Sequence, residues 1–468
     1  MSNVPISFGE PRNVAPLDTI LDHVGWTPLL RLHRIGKGIR TPLLGKAEFL
    51  NPGHSVKDRI GLAMVEAAER SGELKPGGTV VEATGGNTGV ALAMVCAIKG
   101  YRCIFTMPDK MSLEKTRLLK AYGAQVVITP TAVPPDSPEH YINAAKKIAK
   151  ETPGAFLTNQ FYNRTNVDCH YQTTGPEIWK QTGGAIRALV VGAGTGGTVS
   201  GAGRFLKEQS DRIRIVLADP VGSIYRQFHE TGKLGTGNPY LVEGIGGDKI
   251  PETLDLQFVD EVRQVTDQSS FAMTRRLARE EGILVGGSSG TLVEVAAQLA
   301  REMDDPAASV VALLCDSGER YLSKVHDDEW MRQNRFLDTE GISVRTVLDR
   351  KGARLRGVLH LPGTATVRKA LDLMQQNAVT QLPVIDDGEM VGSVAESKLL
   401  MRALQDARML DAVLTVVMDA PFPVVTARDA FDHAARLLAG GADALLVREA
   451  GAFIGILTRS DVLDQMRS

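Results

Sequence analysis

Over roughly residues 13–330 the chain alternates short apolar, β-branched runs with longer segments of helical period. The runs are residues 79–81, 103–105, 125–128, 188–191, 213–217 and 310–314. Strands separated by helix-length segments need crossover connections, so the pattern predicts an α/β fold with a mostly parallel sheet and helices on both faces. Two strand-loop-helix units are clear. Thr79-Val80-Val81-Glu82 leads into the glycine loop of residues 84–89, and residues 90–99 follow as an apolar helix ending at Gly100. Ala188-Leu189-Val190-Val191 leads into Gly192-Ala193-Gly194-Thr195-Gly196-Gly197-Thr198 and then a helix through Leu206. In each unit the helix turns its amide donors and positive dipole end toward the loop, which suits an anion.

The pattern changes after Trp330. A polar stretch, residues 331–341, is followed by a repeat: Leu382-Pro383-Val384, Gly392 and Leu399-Leu400 recur 63 residues on as Leu445-Leu446-Val447, Gly455 and Val462-Leu463. Each half reads strand, turn, strand, helix, which predicts a pseudo-symmetric pair. The expected division is a first domain over 1–335, a linker over 336–343, and two copies over 344–405 and 406–468.

Composition narrows the partners. The 468 residues are 43% hydrophobic and 23% charged with a net charge of −2 and no dense Lys/Arg tract, which argues against nucleic acid or an anionic membrane. The four cysteines, Cys96, Cys103, Cys169 and Cys315, show no Cys-x-x-Cys spacing, and no leader pattern opens the chain, so a reduced, cytoplasmic protein is expected. Apolar runs such as residues 90–98 fall far below the roughly 20 residues of a membrane helix, so no membrane partner is expected. The nine histidines show no metal-ligand spacing, and no metal is expected. Small molecules and copies of the chain are the expected partners, with a homodimer or higher homo-oligomer as the default because two-fold dimers are the commonest.

Lys57, in Asn51-Pro52-Gly53-His54-Ser55-Val56-Lys57-Asp58-Arg59, precedes the first strand-loop-helix unit. Lysines are mostly surface residues, but one held near a carbonyl cofactor can form a Schiff base and turn that cofactor into an electron sink. Gly192, Gly194 and Gly197 satisfy Gly-x-Gly-x-x-Gly, and Asp219 ends the next strand where a ribose-binding acid belongs, so a dinucleotide oxidoreductase is one reading. It gives Lys57 and the Asn87 loop no role. A phosphate monoester carrying an aldehyde uses the glycine cup, the lysine and a polar partner for its ring.

Residues 17–330 resemble the fold-type II pyridoxal-phosphate enzymes, within them the cysteine synthase and cystathionine β-synthase family. The resemblance rests on Gly25-Trp26-Thr27-Pro28-Leu29, Ser55-Val56-Lys57-Asp58-Arg59, Gly86-Asn87-Thr88-Gly89, residues 194–198 and Gly286-Gly287-Ser288-Ser289-Gly290, in family order. Residues 219–224 and 240–246 look more like the cystathionine β-synthase branch. Residues 344–468 resemble tandem CBS regulatory modules, a Bateman pair. The resemblance implies two open twisted α/β subdomains followed by that pair, and pyridoxal 5′-phosphate as cofactor. It makes Lys57 the Schiff-base lysine and proton shuttle, Asn87 the partner of the cofactor 3′-oxygen, and Gly194, Thr195, Gly196, Gly197 and Thr198 the phosphate cup. Ser288 would face the pyridine nitrogen. Thr84, Gly85, Thr88 and Gln160 would hold the substrate carboxylate, with Gly244 also beside the substrate. Without the resemblance, Ser288 reads equally as a helix N-cap and Gln160 as an ordinary polar loop residue.

The implied activity is β-replacement: L-serine and L-homocysteine give L-cystathionine and water through an aminoacrylate, a neutral Ser288 favouring elimination over transamination. Gly85 and Gly247 depart from relatives that carry serine and tyrosine there, each removing a hydroxyl near the substrate. They leave open O-acetylserine-dependent synthesis of cysteine or cystathionine, and sulfide release from cysteine. A reading of another class is an adenosyl-ligand-sensing regulatory protein. Only about sixteen residues precede the pattern, so no haem is expected. In the second repeat, Thr458 and Asp461 of Gly455-Ile456-Leu457-Thr458-Arg459-Ser460-Asp461 suit a polar group and a ribose of an adenosyl ligand. The first copy carries Ala395 and Lys398 there, so at most one complete site is expected.

Overall fold

The six apolar runs all become strands of two separate sheets in the computed structural model, which describes residues 16–109, 111, 113–134, 136–337, 343–351 and 358–467. The chain divides into two units, residues 1–336 and 337–468. Among the described residues ten strands build the first: β1 (Leu29–Arg31), β2 (Leu43–Ala47), β3 (Thr79–Ala83), β4 (Arg102–Pro108), β5 (Gln125–Thr129), β6 (Ala155–Leu157), β7 (Ile186–Val191), β8 (Arg214–Pro220), β9 (Glu261–Val265) and β10 (Ser309–Leu314). A four-stranded parallel sheet runs β5-β4-β3-β6. A six-stranded sheet runs β1-β2-β10-β7-β8-β9, parallel except where β1 pairs antiparallel with β2. The two expected α/β subdomains are these two sheets with their helices.

β1, β2, β6 and β9 went unread in the sequence for local reasons. β1 and β6 are three residues long, β2 reads Leu-Leu-Gly-Lys-Ala without a β-branched residue, and β9 lies at a sheet edge with two charges in five residues. The helix Lys57–Ser71 places Ile60, Met64, Val65 and Ala68 on one buried face and stops at Gly72, whose φ of 80° suits the left-handed cap. It packs against Asn87–Lys99 so closely that a Cβ on Gly61 would lie 2.7 Å from the Cβ of Ala91. Residues 88–96 of that second helix are all buried, which is why its sequence is apolar on every side.

Beneath the start of Lys57–Ser71 lies a charge network out of contact with water. Arg59 donates to both oxygens of Glu48 at 2.7 and 2.8 Å and to both oxygens of Glu177 at 2.7 Å each. Lys46 of β2 donates to Glu177 at 2.6 Å, and Thr27 to Glu48 at 2.6 Å. Burial pushes the Glu48 carboxyl up, but Arg59 and Lys46 outweigh it and hold the group at about 2. Two cations and two anions balance, and every oxygen of both glutamates is bonded.

The second unit repeats itself in space as in sequence. Strands Gln381–Asp386 and Glu389–Ala395 and helix Glu396–Gln405 recur 63 residues on as Ala444–Glu449, Ala452–Thr458 and Arg459–Arg467. Each half has its own core, one around Val367, Met374 and Val384 and one around Phe431, Leu445 and Val447. Among the described residues only the second half adds a full third strand, Val424–Thr426, parallel to Ala444–Glu449. Most of the expected linker, residues 338–342, lies outside the described residues, while the Phe336 ring packs 5.1 Å from Phe271 and 6.1 Å from Trp330 in the first unit. No described helix is long and apolar enough to cross a membrane. Among the described residues no His, Cys, Asp or Glu group could hold a metal ion.

Arg59→Ala would strand Glu48 and Glu177 without their guanidinium and should destabilise the first unit by about 3–5 kcal/mol. All three tryptophans, Trp26, Trp179 and Trp330, lie in that unit, so their fluorescence during urea unfolding reports the loss.

Candidate active site

The loops at the carboxyl ends of β3, β6, β7 and β10 converge with the start of helix Lys57–Ser71 on a cavity of about 1170 Å³, the usual position for a site in open α/β sheets. Lys57, Thr84, Gly85, Asn87, Thr88 and Gln160 line it from one side. Gly194, Thr195, Gly196, Thr198, Gly244 and Ser288 line it from the other. Gly197 does not. It opens helix Gly197–Gln209 and is pressed against Asn166, whose Oδ1 would lie 1.9 Å from a Cβ.

Lys57 is the first residue of its helix, half-buried at the cavity wall. No hydrogen bond or ion pair takes up its amine among the described residues. Burial holds its pKa below the ordinary value against the pull of Cys315, Asp316 and Glu48, and the positive end of the helix acts in the same direction. A neutral amine, able to attack a carbonyl or take a proton, is thereby favoured.

The glycine loop after β7 is built for close approach. A Cβ on Gly194 would sit 2.4 Å from the carbonyl oxygen of Gly244, and Gly196 has a φ of 90° with Leu254 against it. The N–H groups of Thr195 and Gly196 donate to no described residue, and the first helical amides after them have no partner within the helix. Asn166 donates to Thr195 Oγ1 at 3.0 Å. Thr198 Oγ1 lies 3.1 Å from His170 Nε2, whose Nδ1 lies 2.8 Å from Thr174 Oγ1. Burial, then Arg59 and Lys57, push His170 down to about 3, so the ring is neutral and orients Thr198 without adding charge.

Asn87 opens helix Asn87–Lys99 and is gripped by two residues that the sequence did not single out. It donates to Asp316 Oδ2 at 2.7 Å and accepts from Arg320, which also donates to Gly53 O at 2.5 Å. Tyr321 donates to the same Asp316 oxygen at 2.7 Å. Burial raises Asp316 above the ordinary carboxyl value despite these donors. The signal that could have found it was its place two residues past β10, a strand that was read. Ser288 is not the N-cap considered above: Gly286 is, and Ser288 is the second helical residue of Gly287–Met303, nearly buried beside Cys315.

Thr88 donates to Gln160 Oε1 at 2.7 Å, Gln160 Nε2 reaches Glu82 at 3.4 Å, and the Asn166 amide bonds both Gln160 O and Thr195 Oγ1, tying this wall to the cup. Gln160 is therefore buried and fixed, not an ordinary loop residue. The spaces beside Gly85 and Gly247 are already occupied. A Cβ at 85 would meet Met111 at 3.0 Å and one at 247 the Tyr225 hydroxyl at 2.5 Å, while the Tyr240 hydroxyl lies 2.6 Å from where a Cβ on Gly246 would be. Tyr240 thus brings a hydroxyl to the cavity wall beside Gly246, while Met111 fills the place beside Gly85 and Tyr225 lies buried behind the wall. Asp219 is buried at the end of β8 and does not line the cavity, which removes the ribose contact on which the dinucleotide reading rested.

In the second unit, Asp461 accepts from Thr458 N at 2.6 Å and Thr458 Oγ1 at 3.0 Å and pairs with Lys351 at 2.6 Å. Its carboxylate is taken up by the module itself. A smaller cavity of about 240 Å³ lies between the two copies, beside Ser393 and Lys398 of the first and Asp419 and Asp443 of the second.

Residues 20–316 match the model of the pyridoxal-phosphate dependent enzyme family, and residues 344–404 and 413–468 each match the CBS domain. The cystathionine β-synthase of Oryctolagus cuniculus is 42% identical over 395 residues, covering 83% of this chain and 71% of the relative. Those of Saccharomyces cerevisiae and Dictyostelium discoideum are 41% and 40% identical over 410 residues, covering 82% and 86% of this chain and 81% and 82% of theirs. A crystal structure of a hydrogen sulfide-producing enzyme from Fusobacterium nucleatum superposes with a TM-score of 0.60 at 34% identity, over 66% of this chain and all of that one. With the cavity, the lysine and the glycine cup in place, these matches make the chain a member of the cystathionine β-synthase family of pyridoxal-phosphate-dependent enzymes, with a C-terminal pair of CBS domains.

Proposed function

We propose that the chain joins L-serine to L-homocysteine by β-replacement, giving L-cystathionine and water, with Lys57 as the residue that moves protons. The observation that carries this is the unpartnered Lys57 amine in a cavity lined both by the glycine cup and by the Thr84, Thr88 and Gln160 wall. Gly194, Thr195, Gly196 and Thr198 would hold the phosphate of pyridoxal phosphate, Gly197 shaping the cup from behind, with Asn87 and Ser288 at the ring edges. When bound, that cofactor supplies a carbonyl that condenses with amines and a ring that withdraws electrons from the substrate α-carbon.

The chain's own residues account for the rest. The Thr84–Thr88 backbone and the Gln160 amide receive the serine carboxylate. Lys57, kept neutral by burial, takes the α-proton and then protonates the departing β-hydroxyl, which leaves as water. As the homocysteine sulfur bonds to the serine β-carbon in its place, Lys57 takes the thiol proton and delivers it to the α-carbon. Ser288 and the neighbouring Cys315 thiol, which burial pushes up to about 12, put no charge beside the ring nitrogen. The Tyr240 hydroxyl at the cavity wall supports serine as the first substrate over O-acetylserine. In the second unit, an adenosyl ligand at Thr458 and Asp461 would have to displace Lys351 from Asp461.

Adding L-serine to the purified yellow protein should shift its visible absorbance, and homocysteine should then yield cystathionine by mass spectrometry. Lys57→Ala should lower turnover at least about a hundredfold. A shift with O-acetylserine alone would sink the serine assignment. Gly194→Ala, which drives a methyl into Gly244 O, should weaken cofactor affinity about tenfold or more, read as loss of the visible band on dilution.

Glu82 lies under the carboxylate wall, accepting from Thr158 and Gln160, and burial raises it from 4.5 to about 7 against those donors. Between those values the folded chain holds a proton that the unfolded chain has lost, so its contribution to stability falls as pH rises. Glu82→Gln should flatten the fall in stability between about pH 5 and pH 8 by up to about 3 kcal/mol, measured by urea unfolding. An unchanged slope would show that Glu82 does not titrate in that window.

A further inference from the structure

The β-replacement reading requires two amino acids in one cavity, yet the wall described so far anchors only the first. Among the described residues lining the cavity, the lysines and arginines are Lys57, Lys115 and Arg320. Lys57 is committed to the cofactor, and Arg320 is held by Asn87 and Gly53 O. Lys115 is left to meet a second carboxylate.

Lys115 comes from helix Leu113–Ala121, beside the small sheet, and Glu243 from the segment after β8 on the large one. Their Nζ and Oε2 lie 2.7 Å apart, and Lys324 approaches the other Glu243 oxygen at 2.5 Å. The three carry a net charge of one positive. An ammonium has three protons, and Lys115 spends one on Glu243, so two remain for another acceptor. Each Glu243 oxygen, with two lone pairs, can likewise accept from a second donor. Burial would raise Glu243, but Lys115 and Lys324 hold it below the ordinary range, so it stays an anion. Glu114 and Glu319 also line the cavity without an ion-pair partner among the described residues, and Asp316 and Arg320 are spent on Asn87, so Lys115 and Glu243 are the directly paired cation and anion of its lining.

We propose that Lys115 and Glu243 form the subsite for the second substrate, Lys115 receiving its α-carboxylate and Glu243 its α-ammonium, so that the enzyme prefers a zwitterionic amino-acid thiol to an uncharged one. This rests on the β-replacement reading. A pair that only fastened the two subdomains together would affect every thiol alike.

The test uses the full-length holoenzyme with Lys115→Met and Glu243→Gln, comparing kcat/KM for homocysteine with that for 2-mercaptoethanol at saturating serine. Each variant should lower the ratio of the two about tenfold, through the KM for homocysteine. An unchanged ratio, whether both thiols suffer equally or neither does, overturns the subsite. Exchange of the serine α-proton for deuterium by the unsubstituted enzyme without thiol tests the underlying reading. If it is absent, that reading fails and the subsite with it; if it occurs while the ratio stays unchanged, the subsite alone fails.

Discussion

A guanidinium taken out of water is stable only where carboxylates surround it, and Arg59 meets that condition through Glu48 and Glu177. The three residues belong to a helix beside the small sheet, the short turn that follows β2 of the large sheet, and a helix further along the chain. Lys46 and Thr27 complete the balance. Because Arg59 lies two residues after Lys57, the network fixes where the helix begins and so where the reactive amine stands. Any movement of that helix would leave buried charges unpaired, which makes the position of Lys57 well defined.

The cavity follows from the same topology. Parallel strands bring their carboxyl ends to one edge, so loops distant in sequence meet there: residues 84–88 after β3, Gln160 after β6, residues 192–198 after β7 and residues 315–321 after β10. Glycines admit the backbone where a phosphate must come close, and buried neutral groups such as His170 and Cys315 set orientation without charge. Charge at the cavity comes from Lys57, from Glu114 and Glu319, from the Asp316 and Arg320 grip on Asn87, and from the Lys115, Glu243 and Lys324 cluster.

The C-terminal pair obeys a different logic. Its two halves keep the same 63-residue spacing in structure as in sequence, because each half is one strand-turn-strand-helix unit with its own core. The chemistry at equivalent positions has diverged. Where the second half has Thr458 and Asp461 tied to Lys351, the first has Ala395, and Lys398 paired with Asp419.

Local information determined a good part of this protein. β-branched runs form strands wherever they are buried, so six strands of the first unit were legible, and glycine loops between strand and helix marked the phosphate cup, Lys57 and Asn87. The short strands β1 and β6 and the glycine-bearing β2 left no such mark, since pairing with neighbours, not propensity, makes them strands. Tertiary structure alone decided what surrounds the marked residues. The sequence could not show that Asp316 and Arg320 reach Asn87 across more than two hundred residues, that Tyr225 fills the place beside Gly247, or that Lys351 occupies Asp461. Backbone shape and hydrophobic period are written in adjacent residues, whereas a pKa, a filled hydroxyl site or an ion pair depends on side chains that only the folded packing brings together.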